Sequence, residues 1–311
     1  MATLILGVGF IGSALAAELL RSGERVVGFD NLFATSQRAL DQLRRHGDFE
    51  LVEGDVAEPG QLARAFDVEP IETVYLLAAQ ASAHADAAPP EYTERTNLRG
   101  PRMVAEECRR RGVRAIVFGG SLRVYGQPLP PRFDESTPYG LLRDMSHLSS
   151  AYAEKLLEMY AHSGGPPAVS ARQAIVYGLS PVMKQDPRFM TVPNRFALQA
   201  RRGEPLRVAA GAGALSLLHV ADAVEALRRC AELGSTGFTP VNVLGEWMTI
   251  PELARVVIEE GEARGLYVTS EGPTAEMAVI PDGRSRLEWK PERDVRSGIR
   301  ELVDYFLADV G

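Results

Sequence analysis

Three glycines at the end of the first apolar run carry the first chemical signal. Leu4-Ile5-Leu6-Gly7-Val8-Gly9-Phe10-Ile11-Gly12 reads as a GxGxxG turn between a short strand and an amphipathic helix. In that setting Gly7 allows the tight turn, Gly9 lets backbone approach a diphosphate, and Gly12 permits close helix–strand packing, while helix N–H groups face the anion. Asp30 ends the next apolar run, where a carboxylate accepts hydrogen bonds from ribose hydroxyls. Asn31-Leu32-Phe33 supplies no cation for a 2′-phosphate, so the expected cofactor is NAD rather than NADP.

A second signal is the choice of cation. Of 34 basic residues only Lys155, Lys184 and Lys290 are lysines. Arginine keeps its proton in a protein, whereas a lysine pKa is readily shifted, so a retained lysine marks a position where arginine does not serve. Lys155 also sits in Ser149-Ser150-Ala151-Tyr152-Ala153-Glu154-Lys155, close to a tyrosine. The two cysteines, Cys108 and Cys230, stand far apart with no Cys/His spacing, so neither a metal site nor a disulfide framework is expected.

The elements that must position these groups follow from periodicity. Apolar runs at Thr3–Leu6, Arg25–Phe29, Phe49–Val52, Thr73–Ala78, Ala115–Phe118 and Val169–Val176 alternate with helix-period stretches. That rhythm predicts an α/β fold, a Rossmann-type doubly wound parallel sheet. After residue 178 proline and glycine interrupt the pattern, which predicts a nucleotide-binding domain over 1–178 and a smaller C-terminal α/β substrate lobe over 179–311. Some later segments should pack back on the sheet, with helices over His219–Leu233 and Val295–Ala308 and a ligand cleft between the lobes.

Length and composition agree. The 311 residues, 45% hydrophobic and 24% charged, suit a folded chain. A net charge of −7 offers no overall attraction for nucleic acid or an anionic membrane. No apolar run approaches a bilayer span and no basic leader precedes the first strand, so a cytoplasmic location is expected.

Several short motifs, taken in order, resemble the extended short-chain dehydrogenase/reductase family of sugar-nucleotide epimerases and dehydratases. They are Gly9-Phe10-Ile11-Gly12-Ser13, Asp30-Asn31-Leu32, Gly54-Asp55-Val56, Leu77-Ala78-Ala79-Gln80, Asn97-Leu98-Arg99-Gly100, Val124-Tyr125-Gly126, Val176-Tyr177-Gly178 and Leu287-Glu288-Trp289-Lys290-Pro291. The resemblance implies an NAD site at Gly7, Gly9, Phe10, Ile11, Gly12, Asp30, Asn31, Asp55, Val56, Leu77, Ala78 and Ala79, with Asn97 beneath the active-site helix. It implies that Ser121 hydrogen-bonds the reacting hydroxyl. A Tyr-x-x-x-Lys pair then moves the proton and holds the nicotinamide ribose; Tyr152 and Lys155 are the nearest match, at spacing three. Spacing three turns the second side chain about 100° from spacing four, so the helix start must shift to accommodate the pair. Tyr125, Tyr139, His147 and Ser150 are the substitutes that folding could bring near.

The substrate side departs from the family pattern. Gln80, Ser82, Arg123 and Ile175 are the expected substrate contacts, with His84 and Asp86 in the adjoining loop. Ile175 replaces the family's asparagine, Leu215 its arginine, and Glu271–Asp282 contains no arginine for a diphosphate clamp. Leu122 and Arg123 replace the Asp-Glu pair of 4,6-dehydratases, which points away from water elimination. The resemblance implies an NAD-dependent epimerase or dehydrogenase acting on a secondary hydroxyl of a sugar, foremost a nucleotide-sugar 4-epimerase. A non-nucleotide sugar or polyol enzyme and a cofactor-binding protein without turnover are the alternatives. A homodimer through the helices near Tyr92–Arg111 and Ala151–His162 is also implied, with Met103, Val104, Leu156, Leu157 and Met159 as apolar positions that suit either interface or core.

Overall fold

The computed structural model describes residues 1–35, 37–82, 86–209, 211, 213–233 and 236–308. Strands β1 (Ala2–Leu6), β2 (Val26–Asp30), β3 (Phe49–Glu53), β4 (Ile71–Leu76) and β5 (Ala115–Ser121) alternate with α1 (Phe10–Arg21), α2 (Gln37–Asp41), α3 (Pro59–Asp67), α4 (Pro90–Glu94) and α5 (Gly100–Arg111). Then follow β6 (Arg132–Phe133), α6 (Met145–His162), β7 (Ala168–Gln173) and β8 (Ile175–Tyr177). The remainder runs α7 (Val192–Arg202), β9 (Leu206–Arg207), β10 (Ala214–His219), α8 (Val220–Glu232), β11 (Phe238–Val243), β12 (Glu246–Thr249), α9 (Ile250–Glu262), β13 (Ser270–Glu271), β14 (Asp282–Gly283) and α10 (Val295–Ala308).

The main sheet has seven strands in the order β11-β7-β5-β4-β1-β2-β3, all parallel. Its central strands are apolar on both faces because helices cover both sides. On one face Leu15 and Leu19 of α1 pack with Val224 and Leu227 of α8. On the other, Leu62 of α3, Met103 and Val104 of α5, and Ala153 and Leu157 of α6 form the second core layer. The strand order reverses between β1 and β4, which opens a crevice at the carboxyl ends of the strands. Gly7, Asp30, Leu77 and Ser121 all stand at or just beyond those ends.

The second lobe is built on a three-stranded sheet, β12-β10-β8, whose core includes Phe196 of α7, Leu217 of β10, Leu253 and Val257 of α9, and Ile299 and Leu302 of α10. No single cut separates it from the main sheet. β8 precedes residue 178 yet pairs in the small sheet, and β11 follows it yet completes the large one. Of the two helices expected in this half, α8 packs on the main sheet and α10 on the small lobe. Among the described residues no helix is long and apolar enough to cross a membrane.

Candidate active site

The turn after β1 shows why each glycine is required. Gly7 has φ +90°, and a Cβ there would collide with the Ala78 backbone. A Cβ on Gly12 would collide with the Gly7 carbonyl. Gly9 differs, because the nearest atom to a Cβ built on it is Thr35 Oγ1 at 3.9 Å, so that side of the loop is open. No side chain caps α1, whose first N–H groups are therefore available to an anion. Asp30 closes the other side: its carboxylate accepts from Val8 N at 2.7 Å and Leu32 N at 2.8 Å. Burial holds its pKa above the usual carboxylate value, and the two backbone donors partly offset that rise. An uncapped helix start, an open glycine and a fixed carboxylate fit the diphosphate and ribose of a dinucleotide.

Adjoining residues are held by structural bonds. Asn31 Nδ2 donates to the Tyr92 hydroxyl at 3.1 Å, and Phe33 stacks on the same ring at 4.2 Å. Asp55 accepts from Ala57 N and pairs with Arg95 at 2.7 Å, while Val56 is buried against Gly100. Leu77 N donates to Leu6 O, which sets Ala78 and Ala79 beside the Gly7 turn. Asn97 is a central strut: it accepts from Gln80 N, and its amide donates to Gln80 O at 2.8 Å and to Ser149 Oγ of α6 at 3.1 Å. Gln80 Oε1 accepts from Ser82 N, and Ser82 Oγ donates to the Arg188 carbonyl at 2.6 Å, tying this loop to the second lobe. His84 lies outside the described residues; Asp86 is exposed beside Arg188.

Ser121 ends β5, and its Oγ accepts from Arg123 N at 3.2 Å, capping a short turn over Leu122–Tyr125. The Arg123 guanidinium then meets His147, with Nη1 3.2 Å from His147 Nε2. Asp144 caps α6 through His147 N and places Oδ2 3.4 Å from the same Nε2. His147 is only 3% exposed, and its Nδ1 is buried without a hydrogen-bond partner. Burial lowers both the His147 and the Arg123 pKa. Ser121 is thus tied to Arg123 through the backbone, and the half-buried Arg123 guanidinium to the buried imidazole of His147.

The same helix directs Tyr152 and Lys155 elsewhere. Its inner face carries Ser149 on Asn97, Ala151 against Leu122, Val124 and Tyr125, and Ala153 and Leu157 in the core. Tyr152 is 40% exposed, and the Lys155 side chain is 62% exposed with Nζ on Glu158 at 2.7 Å. The structure thus brings Arg123 and His147 together with Ser121 and leaves Tyr152 and Lys155 on the outer face. Lys155 Nζ passes 5.3 Å from the centre of the Tyr139 ring. Ile175 sits in β8 against Leu217, across the small sheet.

The reason for this register is a buried pair absent from the motif reading. Glu154 is fully buried and accepts from Arg172 Nη2 at 2.7 Å, Ser170 Oγ at 2.7 Å and the Tyr139 hydroxyl at 2.8 Å. Arg172 also donates to the Tyr125 hydroxyl, which in turn donates to Asn242. Tyr125 and Tyr139 are consequently committed to this network. The signal in the sequence was a glutamate at an apolar helix position and an arginine in an apolar strand, two charges that burial obliges to pair.

Known proteins share this arrangement of elements. UDP-glucuronic acid decarboxylase 6 of Arabidopsis thaliana is 32% identical over 318 residues, covering 98% of this chain and 88% of the relative. The solved UDP-glucose 4-epimerase of Thermus thermophilus, in complex with NAD, superposes with a TM-score of 0.80 at 27% identity over all of both chains. The dTDP-glucose 4,6-dehydratase of Bacillus anthracis str. Ames shares the fold, with a TM-score of 0.82 at 20% identity over 99% of this chain and 97% of that one. Residues 3–243 match the profile of the NAD dependent epimerase/dehydratase family, and with the glycine turn and Asp30 in place the chain belongs to that family, with NAD as its cofactor.

Proposed function

We propose that this protein uses NAD to oxidise a secondary hydroxyl of a UDP-linked sugar bearing a carboxylate, and returns the hydride before product leaves. The carrying observation is Arg123, a half-buried residue next to Ser121 whose guanidinium meets His147 and has no carboxylate in ion-pair contact among the described residues, Asp144 standing on the other side of the ring nitrogen. Such a cation is stabilised by an anionic substrate group, and a sugar carboxylate matches its planar pair of donors. NAD, held by the glycine turn and Asp30, would supply the hydride acceptor for the secondary carbon; Ser121 orients the hydroxyl, and His147 takes its proton on Nε2 once Arg123 turns from that nitrogen to the substrate carboxylate. Oxidation β to a carboxylate gives a β-keto acid, which loses CO2 readily. The named activity of the Arabidopsis relative supports that outcome, and re-reduction without loss of CO2 would be the epimerase outcome. Arg123 in place of an acid weighs against elimination of water.

Gln80, Ser82 and Ile175 complete the substrate side of this reading, and Leu148, Tyr152 and Met159 form an exposed face of α6 suited to a homodimer. Met103, Val104, Leu156 and Leu157 belong instead to the interior. A second reading, a cofactor-binding protein without turnover, is favoured by the outward placement of both Tyr152 and Lys155. Incubation with UDP-glucuronate, UDP-glucose and UDP-galactose, with absorbance at 340 nm and product NMR, separates the two. The proposed activity predicts turnover of the uronate, lost in Arg123→Met; NAD binding with no change in any of the three sugars leaves the second reading.

A further inference from the structure

Residues 179–193 leave the second lobe and return to the point they left. Asn194, in the first turn of α7, accepts from Gly178 N at 3.1 Å and donates through Nδ2 to Gly178 O at 2.9 Å, so the two ends of the segment are clamped together as in an Ω-loop. Its outgoing limb is fastened to α1, since Ser180 Oγ donates to Phe10 O at 2.5 Å and Val182 N donates to Ser13 Oγ at 3.1 Å. Its tip is a single tight turn over Pro187–Phe189, stiffened by the proline and capped by the Asp186 carboxylate, which accepts from Arg188 N at 2.9 Å.

The tip lies across the dinucleotide site. Met190 shares a small cavity with Phe10, the first residue of α1, while the neighbouring Phe189 sets its ring edge-on to Phe33 at 6.3 Å, just beyond Asp30. Phe10 follows the glycine turn on one side and Phe33 follows Asp30 on the other, so two consecutive loop residues bridge the mouth of the site. Two hydrogen bonds tie the tip further: Ser82 Oγ donates to the Arg188 carbonyl at 2.6 Å, and Arg188 Nη1 donates to Asp86 O at 2.9 Å. Behind Phe33, the Tyr92 ring is stacked at 4.2 Å and carries the Arg95 guanidinium 5.9 Å from its centre, which pairs in turn with Asp55. Neither Phe33 nor Phe189 belongs to a core layer, and Phe33 is 47% exposed, so the tip can part from these contacts while the clamp at Gly178 and both sheets stay intact.

We propose that residues 186–190 form a gate over the cofactor site, which must swing away from Phe33 for NAD to enter or leave. The gate rests on the family's cofactor and not on the identity of the sugar. For the reaction proposed above, it keeps the cofactor from exchanging between the two halves of a turnover.

Stopped-flow fluorescence on the full chain tests this: protein loaded with NADH is mixed with excess NAD to read release, and free protein is mixed with NADH to read association. Phe189→Ala is expected to speed release and association alike, each by about ten-fold or more, so that the dissociation constant changes less than either rate. Arg188→Ala, which loses the bond to Asp86, should act in the same direction, and Phe189→Tyr should restore slow exchange. Faster release at unchanged association makes Phe189 a plain contact and overturns the gate, as do wild-type rates in Phe189→Ala and Arg188→Ala proteins of wild-type melting. Neither rate involves a sugar, so absence of uronate turnover overturns the functional reading alone.

Discussion

The Arg123 guanidinium rests 3.2 Å from His147 Nε2, and because a guanidinium can only donate, Nε2 is the acceptor in that contact. Asp144 Oδ2 stands 3.4 Å from the same nitrogen, and Nδ1 across the ring is buried without a partner. Burial first, and Arg123 after it, hold the ring's pKa below the usual value near 6.5 against the opposing pull of Asp144.

His147→Gln should therefore lower kcat/KM by roughly 10²–10⁴-fold while leaving NAD affinity unchanged. In wild type the neutral ring persists down through pH 6.5, so the acid limb of the pH–rate profile should lie below that value and vanish in the variant. Stability follows the same sign: the unfolded chain binds the proton first, so stability contributed by this site is lost as pH falls through the folded pKa. A profile unchanged by the substitution would remove His147 from the chemistry.

Glycine substitutions should separate binding from folding. Gly9→Ala meets only open space and should leave the melting temperature near wild type while weakening NAD at least ten-fold. Gly12→Ala collides with the Gly7 carbonyl and should lower both. Equal melting losses in the two variants would contradict the open side of the turn.

Removing one half of the Glu154–Arg172 pair should be severe. Arg172→Met leaves a carboxylate with no exposure and only hydroxyl partners, at a cost of about 3–5 kcal/mol, measurable by urea denaturation. The double substitution Glu154→Gln, Arg172→Met should recover part of that loss, because no uncompensated charge remains.

The exposed face of α6 predicts an assembly. Met159→Glu should shift a dimer towards monomer in light scattering without changing the melting of the monomer, since this side chain is 54% exposed in the single chain. A wild-type protein that is monomeric at all concentrations would dismiss this interface.

The dinucleotide turn was legible because it is local: Gly7, Gly9 and Gly12 lie between the end of β1 and the first turn of α1, Asp30 ends the next strand, and their spacing alone places them. The parallel sheet was legible from its alternation for the same reason. The direction of α6 was not, because a helix turns about 100° per residue and which face enters the core was settled by a partner on another strand, Arg172. Nearness in sequence made Lys155 look like a partner of Tyr152 in the cleft, yet Glu154 beside it fixes the rotation that carries both outward.

The exchange of β8 and β11 between the two sheets also limits how this molecule comes apart. Cutting the chain after Gly178 would leave the large sheet with an uncovered β7 edge and strip the small sheet from β8. Neither portion is a self-sufficient folding unit, so heat or denaturant should dissolve both lobes in one cooperative step, and the cleft between them should vanish with the cores that flank it.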